Sequence, residues 1–160
     1  MKVCGLKKRK RKTLKKICTN KRAYFEYNIL EKHIAGIQLQ GTEVKSIRNG
    51  KVSIVEAYCF ITNDELFIKG MHVAEHKEAG RVLNHKPIRD RKLLMKKKEI
   101  IKLRESVTQK GLTIIPLEII LSDTGFIKLE ISLAKGKHLY DKRISIKEKD
   151  LKRESERNLE

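Results

Sequence analysis

Gly41-Thr42-Glu43-Val44-Lys45-Ser46-Ile47-Arg48-Asn49-Gly50-Lys51 reads as a two-turn helix clipped at both ends. The Thr42 hydroxyl is placed to act as an N-cap. Glu43 sits in the first turn and Arg48 in the last, the charge order that a helix dipole favours. Gly50 suits the left-handed position that ends a helix. Val44 and Ile47 are three residues apart and share a face. At about 100° per residue, Lys45, Arg48 and Asn49 fall on a neighbouring face. One side can dock on a core while the other presents two cations and an amide. Taken alone, this is an ordinary amphipathic helix with a solvated polar face, so the rest of the chain must say what it docks on and what it faces.

The chain has 160 residues, a formal net charge of +18 and a pI of about 9.9. That length suits one domain plus tails. An enzyme of a small neutral metabolite has no need of such a charge, whereas a polyanion partner does. No apolar run approaches the ~18 residues of a membrane span. The N-terminus is basic but lacks the apolar stretch of a secretory signal, so a cytoplasmic location is expected. Cys4, Cys18 and Cys59 include no Cys-x-x-Cys pair, which suggests neither a disulfide framework nor a zinc knuckle. Aromatic residues make up 5% of the chain and tryptophan is absent. Single-strand binders lean on stacking rings. Recognition of folded RNA or DNA by backbone and shape fits this composition better.

Residues 1–22 hold 11 Lys or Arg and no Asp or Glu. The run Lys7-Lys8-Arg9-Lys10-Arg11-Lys12 cannot pack on itself, and residues 1–20 are expected to form a disordered basic arm, phosphate-seeking or merely solubilising. Tyr24–Leu30 is rich in strand formers, with Phe25, Tyr27 and Ile29 on one face, and Ala35–Leu39 alternates again. This predicts one long strand, bent or bulged near Gly36. Ala57–Ile61, the turn Thr62–Glu65 and Leu66–Ile68 predict a hairpin, with Cys59 as a small buried group. Residues 77–92 lack a period and read as a surface loop. Ile100, Leu103 and Val107 predict a helix over 97–110, ended by Gly111, with Lys96 a poor N-cap. Leu112–Leu121, the turn Ser122–Gly125 and Phe126–Leu133 predict a second hairpin. Pro116 in its first strand implies an edge or a bulge. Residues 134–137 open a basic loop, and the charged tail 137–160 is expected to be free until it becomes helical on a partner. The expected fold is mainly β: a closed, OB-like antiparallel barrel of about six strands over 21–136, with about three short flanking helices. A sandwich is the alternative.

His72-Val73-Ala74-Glu75-His76 matches the inverted zinc-protease pattern His-x-x-Glu-His. That chemistry needs both histidines on one helical turn and a further ligand. Here the match follows a strand ending in Gly70 and contains β-branched Val73, so no metal or cofactor is expected. His33, His85 and His138 are scattered, and no nucleophile–base pair or phosphate-cradling loop is visible.

Several ordered stretches resemble the small protein B family. They are Asn20-Lys21-Arg22-Ala23, then Ala35-Gly36-Ile37-Gln38-Leu39-Gln40 leading into the opening stretch, Gly70-Met71-His72, Asn84 to Leu94, Pro116-Leu117, and Leu133 to Arg143. The likeness covers roughly residues 20–150. It implies an OB-like barrel that is not an enzyme. It also implies binding to the tRNA-like domain of transfer-messenger RNA (SsrA RNA, tmRNA), support of its charging with alanine, and delivery to stalled ribosomes in trans-translation. Glu43, Lys45, Ser46, Arg48, Asn49 and Lys51, with Asn84, His85, Arg89, Arg91 and Lys92, would form the RNA face. Lys135, Gly136, Lys137, Tyr140, Asp141, Lys142 and Arg143 would begin a tail that senses the empty mRNA channel at the decoding centre of the 30S subunit within the 70S ribosome. Elongation factor Tu and alanyl-tRNA synthetase would be reached indirectly through the RNA, with no membrane partner and the protein a monomer. Ile34 stands where family members often carry an acid linked to RNA binding. The competing readings are a generic basic rRNA-binding ribosomal protein, which explains the charge but not the ordered motifs, and a hydrolase built on His72 and His76.

Overall fold

The computed structural model describes residues 15–80 and 84–137. The expected disorder of residues 1–14, and the tail expectations for Tyr140, Asp141, Lys142 and Arg143, lie outside the described residues. Among the described residues nine strands and three α-helices follow in chain order: β1 (Lys15–Thr19), α1 (Lys21–Glu26), β2 (Tyr27–Ile37), α2 (Gly41–Arg48), β3 (Val52–Ser53), β4 (Tyr58–Thr62), β5 (Glu65–Lys69), β6 (His72–Val73), β7 (Arg91–Leu94), α3 (Lys97–Lys110), β8 (Thr113–Leu121) and β9 (Ile127–Gly136). Six antiparallel strands close a ring in the order β8-β4-β5-β7-β2-β9, with β9 pairing back on β8. β1 lies beside β8, and β3 and β6 form a separate pair. The expected mainly-β, OB-like fold is therefore the observed one, with ring closure leaving few free edges.

The ring interior is filled by Ala35, Ile54, Leu66, Ile68, Leu93, Ile119, Leu129 and Ile131, all at or near zero exposure. α2 adds Ile47 with Val44 beside it, and α3 adds Ile100, Leu103 and Val107. α3 spans the residues its period predicted, and Gly111 ends it at φ 60°. Its start is set from within: the Glu99 carboxylate accepts from the Lys96 N–H at 3.2 Å. The β4–β5 turn places Asn63 and Asp64 at positive φ, the conformation a two-residue hairpin loop demands. Pro116 sits at a bulge, where the β8–β9 register shifts between Pro116 and Glu118. Cys59 is buried, and burial pushes its thiol up.

Four sequence expectations are corrected. The arm was expected to run to residue 20, but Lys15–Thr19 pair with β8 and Lys16 Nζ lies 2.9 Å from the Glu118 carboxylate. Tyr24–Glu26 belong to a helix rather than a strand. Asn20 caps it by accepting from Ala23 N–H at 3.0 Å, while its amide nitrogen donates to the carbonyls of Ile54 and Pro116. The irregularity of β2 falls between Ile29 and Glu31, and Gly36 stays in register opposite Leu94 and Lys128. β9 runs on through Lys135 and Gly136, which pair with Asn28 and Tyr27, so the expected loop at 134–137 begins only at Lys137. Among the described residues no helix is long and apolar enough to cross a membrane.

Two glycines separate backbone strain from steric conflict. Gly50 (φ +74°) faces open space, whereas a Cβ on Gly70 (φ +78°) would meet the Glu56 carbonyl at 2.8 Å. Gly50→Ala should cost about 1–2 kcal/mol, the left-handed penalty alone. Gly70→Ala should cost more, because the β5–β6 connection must also shift. Urea denaturation of the two variants checks the order.

Candidate nucleic-acid interface

α2 forms where its pattern placed it, but its entry differs from the expected cap. Gln40 precedes the helix, and its N–H donates to the Glu43 carboxylate at 2.7 Å. Thr42 is instead turned to His85, with Oγ1 2.9 Å from Nδ1. The exit is as expected. Gly50 N–H donates to Ile47 O at 2.9 Å and Lys51 N–H to Ser46 O at 3.0 Å, the paired bonds of a Schellman motif.

The helix divides the expected RNA face into two groups. Lys45, Arg48, Asn49 and Lys51 are exposed, whereas Glu43 and Ser46 have no exposure at all. A buried carboxylate must be satisfied, and Glu43 is. Arg89 grips it with both nitrogens of a fork, Nε to Oε1 at 2.8 Å and Nη2 to Oε2 at 2.6 Å. Arg91, also without exposure, donates from Nε to Oε1 at 2.9 Å. The remaining Arg91 donors reach the carbonyls of Met71 (2.7 Å), Arg89 (3.1 Å) and Pro87 (3.2 Å). Burial pushes the Glu43 carboxyl up, but the Arg89 and Gln40 hydrogen bonds and the two arginine charges outweigh it and hold the group below its ordinary value. Burial likewise draws Arg91 down, against the pull of Glu43.

The segment 84–90 is held by the same means. The Asn84 amide accepts from His76 N–H at 3.0 Å and donates to His76 O at 2.9 Å, closing a side-chain ladder. His85 is buried. Its Nε2 donates to the Val73 carbonyl at 3.2 Å, an acceptor that fixes the proton there. Lys92 is half-buried on β7, ion-paired with Glu65 across the strand pair. The expectation that all eleven residues form one surface is therefore corrected. Glu43, Ser46, His85 and Arg91 lie inside, Asn84 and Arg89 brace them, Lys92 belongs to a sheet face, and four residues of α2 and its exit face solvent. Only the amphipathic period of α2 was readable; arginines serving as interior struts leave no mark in an apolar/polar pattern. Lys135 and Gly136 are exposed at the end of β9. Lys137 N–H donates to Glu26 O at 2.9 Å.

Ile34 is 52% exposed on β2, in a shallow hollow with Gly36, Leu94, Met95, Lys96 and Lys128. The His-x-x-Glu-His match fails on geometry. His72 lies in strand β6 opposite Ser53, not on a helix, and among the described residues no three His, Cys, Asp or Glu converge as metal ligands.

A six-strand OB-like ring thus carries a cationic helix, braced from behind by buried charge pairs. The SmpB protein family matches residues 17–160. The SsrA-binding protein of Acholeplasma laidlawii is 53% identical over 146 residues, covering 91% of this chain and 97% of that protein. That of Christiangramia forsetii is 51% identical over 138 residues, covering 86% and 87%. A solved chain described as "tmRNA-SmpB: a journey to the center of the bacterial ribosome" superposes with a TM-score of 0.64 at 41% identity, covering 76% of this chain and 85% of that one. The chain belongs to the SmpB family.

Glu43→Gln should destabilise the protein by about 3–5 kcal/mol, because it leaves Arg91 buried without its counter-charge. Ser46→Ala should be close to neutral, since the Ser46 hydroxyl is buried without a partner. Because the native Glu43 value is depressed, its contribution is present above the ordinary carboxylate value and lost as pH falls through the native one. The denaturation midpoints of wild type and Glu43→Gln should therefore converge on the acid side of about pH 4.

Proposed function

We propose that this chain binds the tRNA-like domain of transfer-messenger RNA and brings it to stalled ribosomes. The observation that carries this reading is the solvated cation set Lys45 and Arg48 on α2 and Lys51 at its exit, on a helix whose other side is fixed by Glu43. A rigid row of cations suits a folded phosphate backbone, whose recognition is by position and shape. The relatives' name, SsrA-binding protein, supports the same partner. No catalytic step is assigned to the chain, whose role is that of an RNA-binding adaptor.

The finer reading follows the family. The barrel body stands in for a missing anticodon arm and supports charging of the RNA with alanine. Lys135, Gly136 and Lys137 lead into the segment with Tyr140, Asp141, Lys142 and Arg143, which senses the empty mRNA channel at the decoding centre. Elongation factor Tu and alanyl-tRNA synthetase meet the protein through the RNA, and the protein acts as a monomer in the cytoplasm. Residues 1–14, 21–136 and 137–160 then serve as arm, RNA-binding body and ribosome-sensing tail, with β1 joining the arm to the body.

Sequencing the RNA that co-purifies with the protein tests the reading directly. One stable small RNA with a tRNA-like end is expected; stoichiometric ribosomal RNA would favour a general ribosomal protein. Affinity for the tRNA-like domain should fall steeply between low and moderate salt. Arg48→Ala should weaken it and reduce the salt slope by about 1, leaving stability within about 1 kcal/mol of wild type, as for an exposed side chain. Truncation after Tyr140 should spare binding to free RNA and abolish peptide tagging on stalled ribosomes.

A further inference from the structure

We propose that Phe126 and Arg48 form a subsite for one unstacked nucleobase of the bound RNA. The proposal rests on the RNA-binding reading above and adds a residue to it. Phe126 is 69% exposed, the most exposed large apolar side chain among the described residues. Its position is fixed by the β8–β9 turn. Gly125 N–H donates to Ser122 O at 2.8 Å, Ser122 N–H donates to Phe126 O at 2.9 Å, and Gly125 takes φ 82°. The Gly125 carbonyl in turn accepts from Arg48 Nη2 at 3.0 Å. An aromatic ring and a guanidinium from two different elements are thus anchored at adjoining residues. They border a cleft of about 310 Å³ floored by Ile37, Leu39, Val44 and Ile127.

The chemistry of this cleft selects its occupant. A group that covers the Phe126 ring and the aliphatic floor must be flat and weakly polar. A group that meets Arg48 must offer an anion or an acceptor. A nucleotide has both, a base with a π face and, across the ribose, a phosphate. The solvated residues of α2 add cations and no carboxylate, because Glu43 is buried, and Asp123 in the turn does not line the cleft. Bases inside a continuous duplex are already stacked, so the occupant is a loop or bulge nucleotide. An aromatic-acidic peptide segment is the competing occupant.

The test uses full-length protein, an in vitro transcript of the tRNA-like domain, and a fully paired RNA hairpin of equal length. Phe126→Ala should weaken binding to the transcript by about 5- to 150-fold, the range for one base–aromatic stack. Its affinity for the hairpin and its salt slope should match wild type. Phe126→Trp should restore transcript binding, which separates stacking from any effect on folding. Phe126→Ala binding the transcript within twofold of wild type would overturn the subsite and leave the peptide reading. Equal losses for transcript and hairpin would overturn it too, since the contact would not select unpaired bases. Failure of wild type itself to bind the transcript would instead remove the RNA reading, and the subsite with it.

Discussion

Glu43 is a carboxylate with no contact with solvent in a chain of net charge +18, and the site is arranged around it. Its oxygens accept from Arg89, Arg91 and the Gln40 N–H. Desolvating these groups is costly, and an apolar cluster of the same volume could match the pair in stability. Position is what the network supplies. The segment 84–90 belongs to no named strand; one bridge sets Ile88 opposite His72, with Val73 N–H donating to Pro87 O at 3.0 Å, and side chains add to it. Arg91 gathers the carbonyls of Met71, Pro87 and Arg89, and Asn84 does the same for His76. Through Glu43 this assembly fixes the angle of α2, and with it the direction of Lys45, Arg48 and Lys51.

The cations of this protein are therefore of two kinds. Those inside hold the backbone, and those outside hold their place for a ligand. Net charge does not distinguish them, and neither does residue type. Arg89 and Arg91 sit two positions apart on a basic stretch that reads, in sequence, as a surface loop. Arg48 lies between the kinds: its guanidinium is exposed yet tied to the Gly125 carbonyl.

That ambiguity explains what could be read from the sequence. α3, the hairpin 58–69 and the strands of 113–133 follow apolar periods and turn residues, and these were legible, whereas the continuation of β9 to Gly136 was not. α2 was legible in extent, exit and apolar face, but not in its entry, where Gln40 precedes the helix and Thr42 turns to His85, nor in the burial of Glu43 and Ser46. α1 was not, because six residues cannot declare a period and Tyr24 and Phe25 carry strand-forming side chains. Its specification comes from Asn20, whose three partners lie far apart in the chain. β1 was hidden by the charge of the segment it ends. The buried members of the site, Glu43, Ser46, His85 and Arg91, look by type like surface residues. Only their partners, set by the fold, show otherwise.

The placement of β1 has a consequence for the charge around the turn that Arg48 reaches. Lys15 pairs with Leu121, directly before the Ser122–Gly125 turn that leads into Phe126 and receives Arg48. Lys15 and Lys16 are both exposed, and Lys16 is ion-paired with Glu118 of β8. The ladder thus brings a cation of a second element to the residue next to that turn, placed by backbone pairing rather than by side-chain contacts. A change that opened the β1–β8 ladder would alter the charge beside the turn without touching α2.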